Sequence, residues 1–359
     1  MFGLSRNVVA LGLVSLLTDV SSEMIYPLLP LFLTSVLGAG PTFVGLVEGI
    51  AESASSLTKL FSGWLSDRLG RRKGLVVAGY TLSTLARPLV AFALAPWHVL
   101  LVRFTDRLGK GLRTSPRDAL IAGSTEPHIR GRAYGFHRSM DHLGAVAGPA
   151  LAFVFLLLMG GQLRTLFLLA AIPGILSVLI LVLKVSEIQV NSTAAPKATP
   201  GTGRLDAQLA RFLIVVTLFT LGNSSDAFLL LRAQEVGIAV AHLPLLWMFF
   251  SLVKAVTGMP GGMLSDLKGR RGTIIAGWLV YAVAYLGFGA ASQPWHIWVL
   301  IGFYGLYFGL TEGGERALIA DLVSPDRQAS AFGLFHFCIG IAALPSSLLM
   351  GYLYQSFGA

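Results

Sequence analysis

Long apolar stretches alternate with short polar ones along the whole chain. Mostly apolar runs cover 7–34, 42–66, 73–95, 97–121, 132–158, 164–184, 209–234, 243–266, 272–291, 295–321 and 329–355. Each has the roughly 20 residues a helix needs to cross a bilayer, so the pattern predicts an all-α membrane protein with eleven spans. One long polar segment breaks the rhythm. Residues 185–208 are rich in Ser, Thr, Ala, Pro and Gly and read as a flexible linker between spans six and seven. The predicted organisation is an N-terminal bundle at 1–184, the linker at 185–208 and a C-terminal bundle at 209–359.

The polar phrases between the runs repeat. Gly63-Trp64-Leu65-Ser66-Asp67-Arg68-Leu69-Gly70-Arg71-Arg72 follows span two, and Gly262-Met263-Leu264-Ser265-Asp266-Leu267-Lys268-Gly269-Arg270-Arg271 follows span eight. Asp67 and Asp266 stand 199 residues apart. Ala133-Tyr134-Gly135-Phe136 returns as Ala331-Phe332-Gly333-Leu334 at an offset of 198, and Ser21-Ser22-Glu23 as Ser224-Ser225-Asp226 at 203. Near-constant offsets across several helices mean two homologous halves. Six spans precede the linker and five follow it, so the symmetry predicts a twelfth span after residue 359.

Composition agrees with a membrane class and removes others. Charged residues make up 13% of the chain against about 25% in soluble domains. The single Cys338 excludes an internal disulfide, and no Cys/His zinc spacing is present. The first apolar run holds Asp19 and Glu23 and lacks a small-residue cleavage site, so it reads as a retained span. A net charge of +9 raises nucleic acid as a partner, but its distribution argues otherwise. Basic residues cluster at Arg68–Lys73, Arg130/Arg132, Lys184–Arg211 and Lys268–Arg271, while the turns at 37–41, 94–98 and 292–296 carry no Lys or Arg. This is the positive-inside pattern, with the N-terminus and the repeated loops in the cytoplasm. The sequence lacks GxSxG, HExxH and a P-loop, so nothing points to an enzyme or a cofactor. Scattered charges and a two-fold repeat fit a carrier better than a channel.

Gly63 to Arg72 resembles the loop between spans two and three of the major facilitator superfamily, and the second copy resembles its degenerate counterpart. Gly144-Ala145-Val146-Ala147-Gly148-Pro149 in span five is similar to an element of the family's drug/proton antiporters. The resemblance implies two pseudo-symmetric six-helix bundles that rock around a central cavity in a bacterial inner membrane, working as a monomer with no cofactor. It also implies a cytoplasmic gate built from Gly63, Asp67, Arg71, Arg72, Asp266 and Arg270. There Asp67 pairs with Arg71 or Arg72 and meets a neighbouring helix terminus. The other reading of the loop is a topology signal that caps two helices.

Charges at bilayer depth cost about 2.5–3.5 kcal/mol each on the insertion scale, so each is a functional candidate. Asp19 and Glu23 share a face of span one, and Glu48 and Glu52 a face of span two. Asp19, Glu23, Glu52 and the counterpart Asp226 are the candidates for carrying a coupling proton; static ion pairing with span four is the competing reading. Arg103, Arg107 and Lys110 form a stripe on span four, which either attracts an anion or pairs with Asp106, Asp141, Glu23 and Glu52. Arg103, Arg107, Asp141, His137, His142 and Glu312 are the candidate cavity residues. His137 and His142 are five apart and cannot share a helix face cleanly, so a titrating gate fits them better than metal binding, and no metal site is expected. The expected function is proton-coupled export of a small molecule, with proton-coupled import of a small anionic metabolite as the alternative and metal transport as a less favoured third.

Overall fold

The computed structural model describes residues 3–158, 160–188, 206–223, 226–239 and 242–358, and among these residues the regular structure is entirely helical. The helices are α1 (Arg6–Val36), α2 (Pro41–Leu69), α3 (Lys73–Phe92), α4 (Pro96–Gly123), α5 (Arg130–Leu158) and α6 (Leu163–Lys184). They continue with α7 in two segments (Ala207–Leu221 and Ala227–Glu235), α8 (Leu243–Lys268), α9 (Arg270–Ala290), α10 (Pro294–Leu322) and α11 (Gln328–Phe357). Seven of them, α1, α3, α5, α6, α8, α9 and α11, are long and apolar enough to cross a membrane. Helices α2 and α4 fall outside that set because they carry the charges: Glu48, Glu52 and Lys59 on one, Arg103 to Asp118 on the other. Most of the predicted linker, 189–205, and Ser224 and Ser225 of the repeat lie outside the described residues.

Local chemistry explains the ends. Pro96 and Pro294 open α4 and α10, where proline's missing N–H costs nothing. His98 Nδ1 accepts the amide of Ala95 at 3.1 Å, and His296 Nδ1 accepts that of Ser292 at 3.2 Å. The Pro-Trp-His phrase therefore starts the same helix in both halves. Gly70 (φ +62°) stops α2 in a left-handed turn and Gly269 (φ +95°) stops α8 in an extended backbone of positive φ, conformations that side chains disfavour. This is why the repeated loop needs its second glycine.

Helix α1 is regular only from Arg6 to Glu23. Beyond it come 3₁₀ and π turns around Pro27 and Pro30, residues that cannot donate a backbone hydrogen bond. The two segments of α7 flank Asp226, which caps the second. In both halves the first helix is thus interrupted beside a carboxylate, and broken helices commonly mark binding sites in transporters.

The chain divides into two compact units. One comprises Met1–Glu126, Met140–Thr202 and Ser324–His336; the other comprises Pro127–Ser139, Gly203–Val323 and Phe337–Ala359. In the first, α4 packs on α2 and α3, and α1 packs on α6. In the second, α10 packs on α8 and α9 in the same way. Their interiors differ. The first unit has a mostly aliphatic cluster around Ile25, Leu29 and Leu166, with Phe32 and Phe167 among it, next to a charged core. The second is filled with aromatic rings: Tyr304 stacks on Phe250 at 5.2 Å and on Tyr307 at 5.9 Å. Exposed leucines such as Leu157, Leu183 and Leu286 give the apolar exterior a lipid-facing surface requires.

Candidate functional site

The first unit gathers most of the predicted site residues. Asp19 and Glu23 are half-buried on the last turn of regular α1. Both sit against α5. A Cβ added at Gly144 would lie 2.8 Å from the Cβ of Asp19, and one at Gly148 would lie 2.6 Å from that of Glu23. The Gly-x-x-x-Gly-Pro element therefore presses a bare backbone against the acidic face of α1. Among the described residues neither carboxylate has a cation within 4.0 Å. The other acids on this core differ. Asp106, Asp118, Glu48 and Glu52 each have a cationic side chain at 2.7–3.9 Å.

The stripe on α4 divides into paired and unpaired cations. Asp106, almost fully buried, takes Arg87 Nε at 2.9 Å and the Tyr26 hydroxyl. Arg103 makes a two-pronged contact with Glu48, at 3.0 Å from Nε and 2.7 Å from Nη2, and lies 3.7 Å over the Tyr26 ring. Arg113 donates to Ser83 at 2.8 Å and covers Tyr80, and Arg117 pairs with Asp118, which also meets His336 at 2.9 Å. Arg107 and Lys110 have no hydrogen bond or ion pair within 4.0 Å among the described residues. Glu52 is 3.9 Å from Lys59 and largely exposed. Asp141 is buried and accepts the Ser15 hydroxyl, and His137 and His142 are buried on α5.

Breaking a buried ion pair from one side strands a charge, typically at about 3–5 kcal/mol. Arg87→Ala, which leaves Asp106 without its nearest cation, is therefore expected to lower the melting temperature of the solubilised protein by many degrees. Arg71→Ala, at an exposed position, should leave it unchanged.

In the second unit Asp226 accepts the Tyr304 hydroxyl at 2.7 Å, and Glu312 takes Arg138 Nη2 at 2.6 Å. Lys254 Nζ is 4.0 Å from the Phe250 ring and 4.8 Å from Phe308. No group of three or more His, Cys, Asp or Glu converges on a metal-sized site among the described residues.

The repeated loop makes the same contact twice, once in each unit. Asp67 accepts the backbone amides of Ala329 (3.1 Å) and Ser330 (2.6 Å) at the start of α11. Asp266 accepts those of Gly131 (2.8 Å) and Arg132 (2.7 Å) at the start of α5. Each carboxylate thus caps a helix N-terminus from another helix, where free N–H groups and the helix dipole favour an anion. The partner of Asp67 is this helix end rather than Arg71, which is exposed. Arg72 is buried and donates to the carbonyls of Ala119 and Pro325. Arg270 reaches Asp266, Asp321 and the Pro127 carbonyl. Glycines let the backbones meet: a Cβ at Gly63 would lie 2.9 Å from the Ala329 carbonyl carbon, and one at Gly262 2.6 Å from that of Gly131.

Several participants carry signals that a reading of isolated spans passes over. Arg87 is a lone cation in an apolar run, Tyr26 precedes Pro27 at the break in α1, and Gly135 and Gly333 recur at the 198-residue offset of the repeat.

The family model of the Major Facilitator Superfamily matches residues 11–231 and 209–359. An uncharacterised MFS-type transporter of Methanocaldococcus jannaschii is 35% identical over 358 residues, 98% of this chain and 89% of the relative. The multidrug resistance protein MdtH of Yersinia enterocolitica is 32% identical over 134 residues, 37% of this chain and 33% of that protein. Among solved structures, the human organic anion transporter MFSD10 aligns with a TM-score of 0.83 at 18% identity, covering 98% of this chain and 94% of that one. The chain is a multi-pass integral membrane protein and belongs to the Major Facilitator Superfamily, a family of transporters.

Proposed function

We propose that this protein is a secondary transporter that exports a small molecule in exchange for protons, and that the Asp19–Glu23 pair carries the proton. In this reading the eleven helices are eleven spans in two pseudo-symmetric bundles, with the N-terminus in the cytoplasm of a bacterial inner membrane and a monomer as the working form. The linker at 185–208 joins the bundles. The observation that carries proton coupling is that, among the described residues, no cation lies within 4.0 Å of Asp19 or Glu23. A carboxylate with no ion-pair partner within 4.0 Å gains or loses a proton without breaking a salt bridge, whereas Asp106 or Asp118 would strand a buried arginine. The seating of the pair on Gly144 and Gly148 links its charge state to α5, and Asp266 holds the start of that same helix.

The paired contacts of Asp67 and Asp266 support the gate. Each joins a helix of one sequence half to a helix of the other through a carboxylate and two amides. Releasing both would free the cytoplasmic ends of α5 and α11. The second reading, import of a small anionic metabolite with protons, is favoured by the unpaired Arg107 and Lys110.

The test is accumulation in proteoliposomes. A compound found by thermal-shift screening should accumulate at least ten times more under an imposed pH gradient than when nigericin collapses it. Accumulation indifferent to the gradient would reject proton coupling.

A further inference from the structure

We propose that Glu48 is a resident stand-in for substrate at an anion site centred on Arg103, and that the transported molecule carries a carboxylate that displaces it. This rests on the reading of the chain as a carrier, and it holds for either direction of transport.

Arg103 is positioned independently of Glu48. Its guanidinium lies 3.7 Å over the Tyr26 ring, the Tyr26 hydroxyl is bound by Asp106, and Asp106 is fixed by Arg87 at 2.9 Å. The Arg103 side chain is 5% exposed, yet its Nη1 has no hydrogen-bond partner, with Asp106 Oδ2 3.9 Å away. The Nε–Nη2 edge is a fork that matches one carboxylate, and Glu48 fills it. Glu48 itself is 50% exposed, the most accessible member of the cluster. The site is therefore a buried, preorganised cation covered by a removable carboxylate.

Exchange of one carboxylate for another is inexpensive, because the desolvation of Arg103 and the fork geometry are kept. Leaving the fork empty is costly, because a buried guanidinium would lose its strongest hydrogen bonds. An internal carboxylate that retreats when substrate arrives meets both conditions. It also explains why a carrier tolerates a buried arginine in a site that must empty on every cycle.

The rest of the stripe sets the class of substrate. Arg107 and Lys110 continue the face of Arg103, about 6 and 10 Å further along the helix axis at 1.5 Å per residue. Neither has an ion pair or hydrogen bond within 4.0 Å among the described residues, and Lys110 is exposed. Glu23 and Glu52 exert their fields on the stripe from α1 and α2 without reaching bonding distance. With Glu48 in place the open end of the stripe still lacks bonded anions. A small organic acid with two or more carboxylates fits: one group in the Arg103 fork, the next on Arg107 or Lys110.

The experiment is equilibrium binding to the full-length protein in detergent, read as thermal stabilisation by citrate, succinate or acetate, with sodium chloride at matched ionic strength as control. Wild type should be stabilised by citrate and succinate more than by chloride. Glu48→Gln, which removes the internal competitor, should lower the half-maximal citrate concentration at least tenfold. Arg107→Ala should raise it at least tenfold for citrate while leaving the weaker acetate response unchanged. Should Glu48→Gln not fold, Glu48→Asp, whose shorter arm fills the fork less well, should shift citrate in the same direction. Citrate binding no tighter in either variant, or no stabilisation beyond chloride, would overturn the proposal. No membrane or pH gradient is involved, so failure of proton coupling in liposomes and failure of carboxylate binding here are separate results.

Discussion

Transport driven by a pH gradient should fall by about 100-fold in a protein carrying Asp19→Asn and Glu23→Gln together, while exchange of substrate at equal pH continues. A positioned proton-transfer group is worth roughly that factor or more, and net transport cannot proceed if the only groups that take the proton are gone. Exchange needs no proton, since the carrier returns loaded. The substitutions are close in volume to the originals, so the contacts with Gly144 and Gly148 remain. They also strand no partner, because no cation lies within 4.0 Å of either carboxylate among the described residues. Asp106→Asn is the contrasting case. It removes the counter-charge of a buried Arg87 at 2.9 Å and should be lost as unfolded protein rather than as uncoupled carrier. Expression, melting temperature and the two transport modes, measured side by side, distinguish these outcomes. A double variant with normal gradient-driven transport would move the proton site elsewhere.

Gly262→Ala should abolish transport although it adds one methyl group. Its Cβ would sit 2.6 Å from the Gly131 carbonyl carbon, a backbone atom that cannot rotate away. The α5–α8 crossing must then open, taking with it the two amides held by Asp266. The crossing is lined by glycine on both sides: Gly131 and Gly135 face Gly262 and Gly258. Close backbone approach through small residues is the main source of helix association in lipid, where hydrophobic burial contributes little. Gly63→Ala should behave alike at the α2–α11 crossing, with its Cβ 2.9 Å from the Ala329 carbonyl carbon. Gly74→Ala is the control. It has nothing within 4 Å and lies in the first turn of α3, so alanine should be neutral or stabilising by up to about 1 kcal/mol. Equal loss at all three positions would mean that glycine matters for flexibility rather than for contact.

Much of the helical layout is legible in the apolar runs. The runs at 42–66 and 97–121 lie within α2 (Pro41–Leu69) and α4 (Pro96–Gly123), which extend them by one to three residues at each end. The run at 209–234 reads as a single span only if the polar stretch Asn223-Ser224-Ser225-Asp226 is passed over, and α7 is interrupted next to Asp226. Gly222 and Asn223 were the available signs.

Pairings are harder to read than helices. Of the sequence neighbours of Asp67, Arg71 is exposed and Arg72 acts on the carboxylate electrostatically. The hydrogen bonds to Asp67 come from amides 262 and 263 residues away, and a helix N-terminus cannot be assigned as a partner before the packing is known. On α4 the balance of acids and bases suggested pairing in bulk. The axial offset of α2 and α4 gives Glu48 to Arg103, Glu52 turns instead to Lys59 two turns along its own helix, and among the described residues Arg107 and Lys110 are left without a bonded acid. The repeat did announce its glycines. Gly135 and Gly333 occupy matched positions in the two halves and line the two crossings.

The most direct measurement is the pH inside proteoliposomes, read with an entrapped dye as substrate is added under no imposed gradient. A proton-coupled carrier should change the internal pH as substrate moves, with the change absent in empty vesicles and in the Asp19→Asn, Glu23→Gln protein. Substrate that crosses in the native protein with no movement of protons would contradict the account.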